Sequence, residues 1–209
     1  KQTMKYLIWD FDGTLYDTYP QITASLQHTL RAFGYEIDYA EAYALIKKTV
    51  FFALNTYADR FGLDQSRLQA AFFEEHARLK DFVPTAGMAD CLQTTKGLEC
   101  CHFLFTHRNH GAVEQLAADG LTGFFTDYVT REDGFADKPA PDAIEHLIAK
   151  YGIAPEAAFM VGDRDIDILA GHAAGIHGIL FDPEGFYPEV KAEYHVRAMA
   201  EITDIVRAL

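Results

Sequence analysis

Apolar and polar positions change rhythm twice along this chain. An unbroken apolar run, Tyr6, Leu7, Ile8 and Trp9, reads as a strand covered on both faces, as in a parallel sheet. From about Thr18 to Phe82 only helical spacing is legible. Pro20 suits a first turn, Ile22, Leu26, Leu30 and Phe33 recur at helical spacing, and Gly34 supplies a stop. Leu68, Phe72 and Leu79 mark another amphipathic stretch before Pro84. Beyond it, strand and helix signals alternate: "CHFLFT", a helix near Ala112 to Ala118, "TDYVT", a helix near Asp142 to Tyr151, "AAFMVGD", a helix near Ile166 to Ala174, and "HGILFD". Such alternation predicts right-handed βαβ units, a parallel sheet and an α/β fold interrupted by a helical insert.

In an open parallel sheet, ligands bind beyond the carboxyl ends of the strands. The polar residues predicted there are Asp10 and Asp12 after the first strand, Thr106 after "HFLF" and Asp163 after "FMVG". Lys138, in the "ADKPAPD" turn that follows "DYVT", is placed to reach the same crevice. Two carboxylates one residue apart at a sheet edge repel each other and lose solvation, so they call for a strong local positive charge. A divalent cation supplies one.

The 209 residues, 49% of them hydrophobic, suffice for one large domain or a core with a smaller insert. A net charge of -13 argues against nucleic acid or an anionic membrane as the main partner. It leaves room for small anions, held where metal, lysine and backbone N–H groups converge. Cys91, Cys100 and Cys101 are an odd number, two of them adjacent, which suits a reducing compartment. With no long apolar run and no signal-peptide pattern, a soluble cytoplasmic protein is expected.

"DFDGT" at Asp10 to Thr14, Thr106 after an apolar strand, "KPAPD" from Lys138 and "GDRDID" from Gly162 resemble, in that order, the four motifs of the haloacid dehalogenase superfamily. The likeness spans nearly the whole chain, and the overall layout looks like phosphoglycolate phosphatases and their relatives. It implies a Rossmann-like three-layer α/β/α core over residues 1–17 and 83–209, with a helical cap of the first type over 18–82. The implied activity is Mg²⁺-dependent hydrolysis of a small phosphorylated metabolite, of phosphoglycolate or sugar-phosphate type. The oligomeric state, monomer or homodimer, is left open.

Carried onto this chain, the resemblance makes Asp10 the nucleophile that forms an aspartyl phosphate, and Asp12 the acid that protonates the leaving oxygen and then deprotonates water. Thr106 would hold a phosphoryl oxygen, and Lys138 would offset negative charge. Asp10, the backbone carbonyl of Asp12, and Asp163 would hold Mg²⁺, with Asp167 acting from behind them. Asp165 reads as a solvated or helix N-terminal charge. Asp12 favours phosphate esters over halides, because halide leaves without a proton and resembling dehalogenases carry a non-acidic residue there. A mutase of the β-phosphoglucomutase type is a further alternative, although the histidine such enzymes carry corresponds here to Ile22. A binder of phosphate ligands without turnover is another.

His107, Arg108 and Asn109 follow Thr106 and belong either near substrate, with His107 a candidate phosphate contact, or in a solvated loop. Cys100, Cys101, His102, His107 and His110 lack the spaced pairs of a structural zinc site and are read as packing residues. In the insert, Lys47, Lys48 and Arg60 are either ligands for a carboxylate or sugar hydroxyls, or simply solvated. The segment "LIKKTVFFALNTY" lacks the glycine-containing stretch associated with many phosphoglycolate phosphatases.

Overall fold

The computed structural model describes residues 4–209. They form two compact units, one running up to Tyr16 and resuming from Pro84 to Leu209, the other Asp17–Val83.

The first unit is an α/β fold on a six-stranded parallel sheet. In chain order it contains β1 (Lys5–Trp9), α5 (Met88–Gly97), β2 (Cys100–Phe105), α6 (Gly111–Ala118), β3 (Phe125–Val129), α7 (Asp142–Tyr151), β4 (Ala158–Gly162), α8 (Asp165–Ala173), β5 (His177–Phe181), β6 (Tyr194–Val196) and α9 (Met199–Ala208). Strand order is β3-β2-β1-β4-β5-β6, which puts the apolar run of β1 between two neighbours. Leu7, Ile8 and Trp9 are accordingly fully buried. Ile8, Phe103, Phe105, Val129, Ile144, Leu147 and Met160 lie in one continuous core cluster. The pattern "CHFLFT" lands on β2, "AAFMVGD" on β4 and "HGILFD" on β5. By contrast, α5, β6 and α9 go beyond the elements the sequence pattern predicted.

Register fixes what the strand ends present. Trp9 lies opposite Leu104 on one side and Val161 on the other. One step further, Asp10, Phe105 and Gly162 are level, followed by Thr106 and Asp163.

The second unit is helical: α1 (Tyr19–Ala32), α2 (Tyr39–Lys48), α3 (Val50–Phe61) and α4 (Gln65–His76). Pro20 lies in the first turn of α1, and beyond Gly34 the N–H of Tyr35 donates to Leu30 O, closing the helix end. Asp38, Thr49 and Asp64 cap α2, α3 and α4 by accepting backbone N–H bonds. Ile22, Leu26, Leu30, Ile46, Leu54, Tyr57, Leu68 and Phe72 form this unit's own core. Leu79 departs from the predicted periodicity, since α4 ends at His76, where Ala77 caps it by donating to Phe73 O. Among the described residues no helix is long and apolar enough to cross a membrane.

In the cysteine–histidine stretch, Cys100 and His102 are buried. Among the described residues, the group suited to holding a metal lies elsewhere, at Asp10, Asp163 and Asp167. His102 is fully buried: Trp9 Nε1 donates to its Nδ1 at 3.0 Å, and its Nε2 lies 3.2 Å from Thr95 Oγ1. Indole N–H can only donate, so Nδ1 must be unprotonated and the ring neutral. Thr95 in turn donates to Cys91 O at 2.6 Å, completing a one-way chain of bonds.

Burial pushes His102 down to about 4. Between that value and the ordinary 6.5, the unfolded chain binds a proton that the folded chain refuses. The stability His102 contributes is therefore complete above the window and lost as pH falls through it, by on the order of 3 kcal/mol. Denaturant titrations of wild type and His102→Gln should show the wild type losing more stability between about pH 6.5 and about pH 4. Equal losses would contradict this account.

Candidate active site

The turn after β1 brings the site's first two carboxylates out of the sheet. Asp10 N–H donates to Val161 O at 2.9 Å, which continues the β1–β4 ladder by one residue. The chain then curls, with Tyr16 N–H donating to Phe11 O at 3.0 Å and Gly13 N–H to Tyr16 O at 2.8 Å. Gly13 sits at φ +71°, a conformation that costs a side-chain-bearing residue energy. The rings of Phe11 and Tyr16 stack at 4.5 Å and close the turn from inside.

Lys138 ties three separate segments together. Its ammonium donates to Asp10 Oδ1 and Asp167 Oδ1, each at 2.7 Å, and its side chain is fully buried. Asp167 lies in the first turn of α8, where its Oδ2 accepts from Arg164 N–H at 3.1 Å. The ammonium also lies 4.7 Å from the Phe105 ring centre. Oxygen atoms of Asp10, Asp163 and Asp167 all fall within 4.8 Å of one another.

The electrostatics follow from this crowding. Burial drives the Asp10 carboxyl up to about 7, against the pull of Lys138 and with help from Asp167 and Asp163. For Asp167, burial works in the same direction, but Lys138, Arg164 and the bonds they donate outweigh it and hold the carboxyl below its usual range. For Lys138, burial opposes the charge, while Asp10 and Asp167 raise its proton affinity above the ordinary lysine value. The group is a cation clamped by two acids, with a third, Asp163, fully buried beside them.

This donor set fits a hard divalent cation. It offers carboxylate oxygens close enough to share one ion, and Asp10 Oδ2 is buried without a hydrogen-bond partner. A buried acceptor left without a partner is costly, and an ion is one way to satisfy it.

Thr106 is buried at the end of β2. Its N–H donates to Val129 O, and its hydroxyl oxygen accepts from Arg108 N–H at 3.1 Å, leaving its own O–H to donate. His107 Nε2 accepts from the backbone N–H of Lys138 at 2.9 Å, so it braces the lysine's loop. Burial and the Lys138 charge push its ring down to about 4, in keeping with an accepting, neutral imidazole. Asp165 is exposed at the start of α8. Arg108 bonds to Asp12. The sequence carried no signal for that partner, because the two residues are 96 positions apart.

The candidate ligands of the insert have partners within their own unit. Lys47 is buried with its ammonium 4.3 Å from the Tyr19 ring centre, Lys48 lies over Phe52, and Arg60 forms a fork with Glu41.

Gly162, at the end of β4, has no room for a methyl group: a Cβ there would lie 2.2 Å from Asp167 Cβ. Gly162→Ala should displace Asp167 from Lys138 and destabilise the unit by ~1–3 kcal/mol, measured by denaturant unfolding. An unchanged midpoint would contradict the packing assigned to Asp167.

Residues 7–181 match the family described as haloacid dehalogenase-like hydrolase. A pyrophosphatase PpaX of Bacillus pumilus is 29% identical, the match covering 100% of this chain and 99% of that protein. A phosphoglycolate phosphatase of Aquifex aeolicus is 27% identical, covering 82% of each. A crystal structure of a hydrolase from Streptococcus pneumoniae TIGR4 is 34% identical over 85% of this chain and 92% of that one, with a TM-score of 0.67.

Proposed function

The chain belongs to the haloacid dehalogenase-like hydrolase family, and on that premise we propose that it is a Mg²⁺-dependent phosphatase of small phosphorylated metabolites, working through an aspartyl phosphate. The observation that carries this reading is the buried cluster of Asp10, Asp163, Asp167 and Lys138, in which Asp10 Oδ2 has no hydrogen-bond partner. Its relatives named for phosphoglycolate and for pyrophosphate support a small substrate with a phosphoryl group to transfer.

Asp10, the backbone carbonyl of Asp12 and Asp163 would hold the cation. Bound there, Mg²⁺ would supply charge that screens the repulsion between a carboxylate nucleophile and a phosphoryl group.

The chain's own residues do the rest. Lys138, fixed by Asp167, holds Asp10 in place as the carboxylate that attacks phosphorus. The new bond forms from an Asp10 carboxylate oxygen as the ester bond breaks, and Asp12 gives the leaving oxygen its proton. Water then attacks phosphorus, Asp12 takes a proton from it, and the bond to Asp10 breaks, releasing phosphate. Thr106 donates its hydroxyl to a phosphoryl oxygen, and His107 steadies the Lys138 loop. Asp17–Val83 is assigned as a cap that selects the leaving group. A cytoplasmic setting agrees with three free cysteines.

The test is phosphate release from phosphoglycolate, pyrophosphate, sugar phosphates, nucleotides and an aryl phosphate, with Mg²⁺ or chelator. Turnover should require the metal and vanish in Asp10→Asn, while denaturant unfolding shows the variant still folded. Turnover retained by Asp10→Asn would exclude Asp10 as the nucleophile.

A further inference from the structure

Arg108 grips Asp12 with three bonds. Nε donates to Oδ1 at 3.0 Å and to Oδ2 at 2.8 Å, and Nη2 donates to Oδ1 at 2.7 Å. The two side chains are only 18% and 24% exposed, so this is a forked contact largely withdrawn from water rather than a loose surface pair.

The arginine itself is anchored on three sides. Its N–H donates to Thr106 Oγ1 at 3.1 Å, its carbonyl accepts from Arg131 N–H at 2.9 Å, and its guanidinium lies 5.4 Å from the Phe11 ring centre. Phe11 separates Asp10 from Asp12 in the sequence. The segment that aims Asp12 is thus bonded to the threonine assigned to the phosphate, and it packs on the residue between the two acids. A lysine at 108 would bring a point charge without the planar fork.

The geometry points to Arg108 as a positioning residue for Asp12. It sets the direction of the acid–base carboxylate from the loop that carries Thr106, so that grip on the phosphoryl group and proton transfer are aligned by one short, braced segment. This inference rests on the phosphatase reading and adds to it a residue outside the four motifs.

The decisive experiment is a double-mutant cycle of Arg108→Ala and Asp12→Asn, read with an alkyl phosphate and an aryl phosphate at saturating Mg²⁺. General acid–base catalysis is typically worth 10²–10⁴-fold, so Arg108→Ala is expected to lower kcat on the alkyl phosphate by roughly 10–100-fold, with KM within about 3-fold. The aryl phosphate, whose leaving group needs less protonation, should lose less. In the Asp12→Asn background the same change should cost under about 3-fold, because the group it aims is gone. Arg108→Lys should recover only part of the loss. Equal losses in both backgrounds, or a loss confined to KM, would overturn the proposal in favour of a direct substrate contact or a purely structural role.

The Arg108 Nε–H NMR resonance of the unliganded protein separates this inference from the reading beneath it. The resonance should be protected from exchange in wild type and exposed in Asp12→Asn. An unprotected resonance overturns the fork whatever the turnover, whereas a protected one in a protein with no turnover on any substrate overturns the acid–base role along with the phosphatase reading.

Discussion

One buried ammonium organises this molecule. Lys138 stands between Asp10 and Asp167 with its side chain removed from water, and that arrangement is tolerable only because both carboxylates are paired with it. Each partner arrives from a different part of the sheet: Asp10 from the end of β1, Asp167 from the first turn of α8 and Lys138 from the loop before α7. Taking away Lys138 would leave two buried carboxylates side by side without their cation, and stranding a buried charge in this way typically costs about 3–5 kcal/mol. The sheet order, with β1 beside β4, and the close approach at Gly162 both serve to let these three groups meet.

The same crowding gives the site its chemistry. An isolated aspartate would be a well-solvated, weakly reactive carboxylate. Here burial raises the proton affinity of Asp10, and Lys138 secures one of its oxygens while the other has no hydrogen-bond partner. A group so placed gains from any cation or electrophile that satisfies its exposed valence, which describes both a metal ion and a phosphorus centre. The chain's net charge of -13 is compatible with this, since a phosphoryl group would meet Lys138, Thr106 and a cation at short range while distant carboxylates are screened.

Much of this was legible in the sequence because it depends on local rules. An unbroken apolar run reads as a strand covered on both faces, and β1 is an interior strand of the sheet. Carboxyl ends of parallel strands collect ligand-binding residues, and Asp10, Thr106 and Asp163 are at those ends. Three features escaped because nothing local encodes them. The helix α5 buries Met88, Cys91, Leu92 and Thr95, a face too mixed in polarity to stand out. The fork between Arg108 and Asp12 joins distant positions, and only the register of β1 against β2 brings them together. His107 Nε2 accepts from the Lys138 backbone N–H, a contact set by the path of a loop rather than by spacing. Leu79 shows the opposite failure: its spacing continued a helical pattern after the helix had ended at His76.

The central claim is that Asp10, held by Lys138, is the atom donor in a covalent step. The most direct measurement is peptide mapping of enzyme quenched in acid during turnover and reduced with borohydride, which converts a phosphorylated aspartate to homoserine. This account predicts homoserine at position 10 and unmodified aspartate at positions 12, 163 and 167. Turnover with no modified aspartate in the steady state or in a rapid-quench burst, or modification at another position, would contradict it.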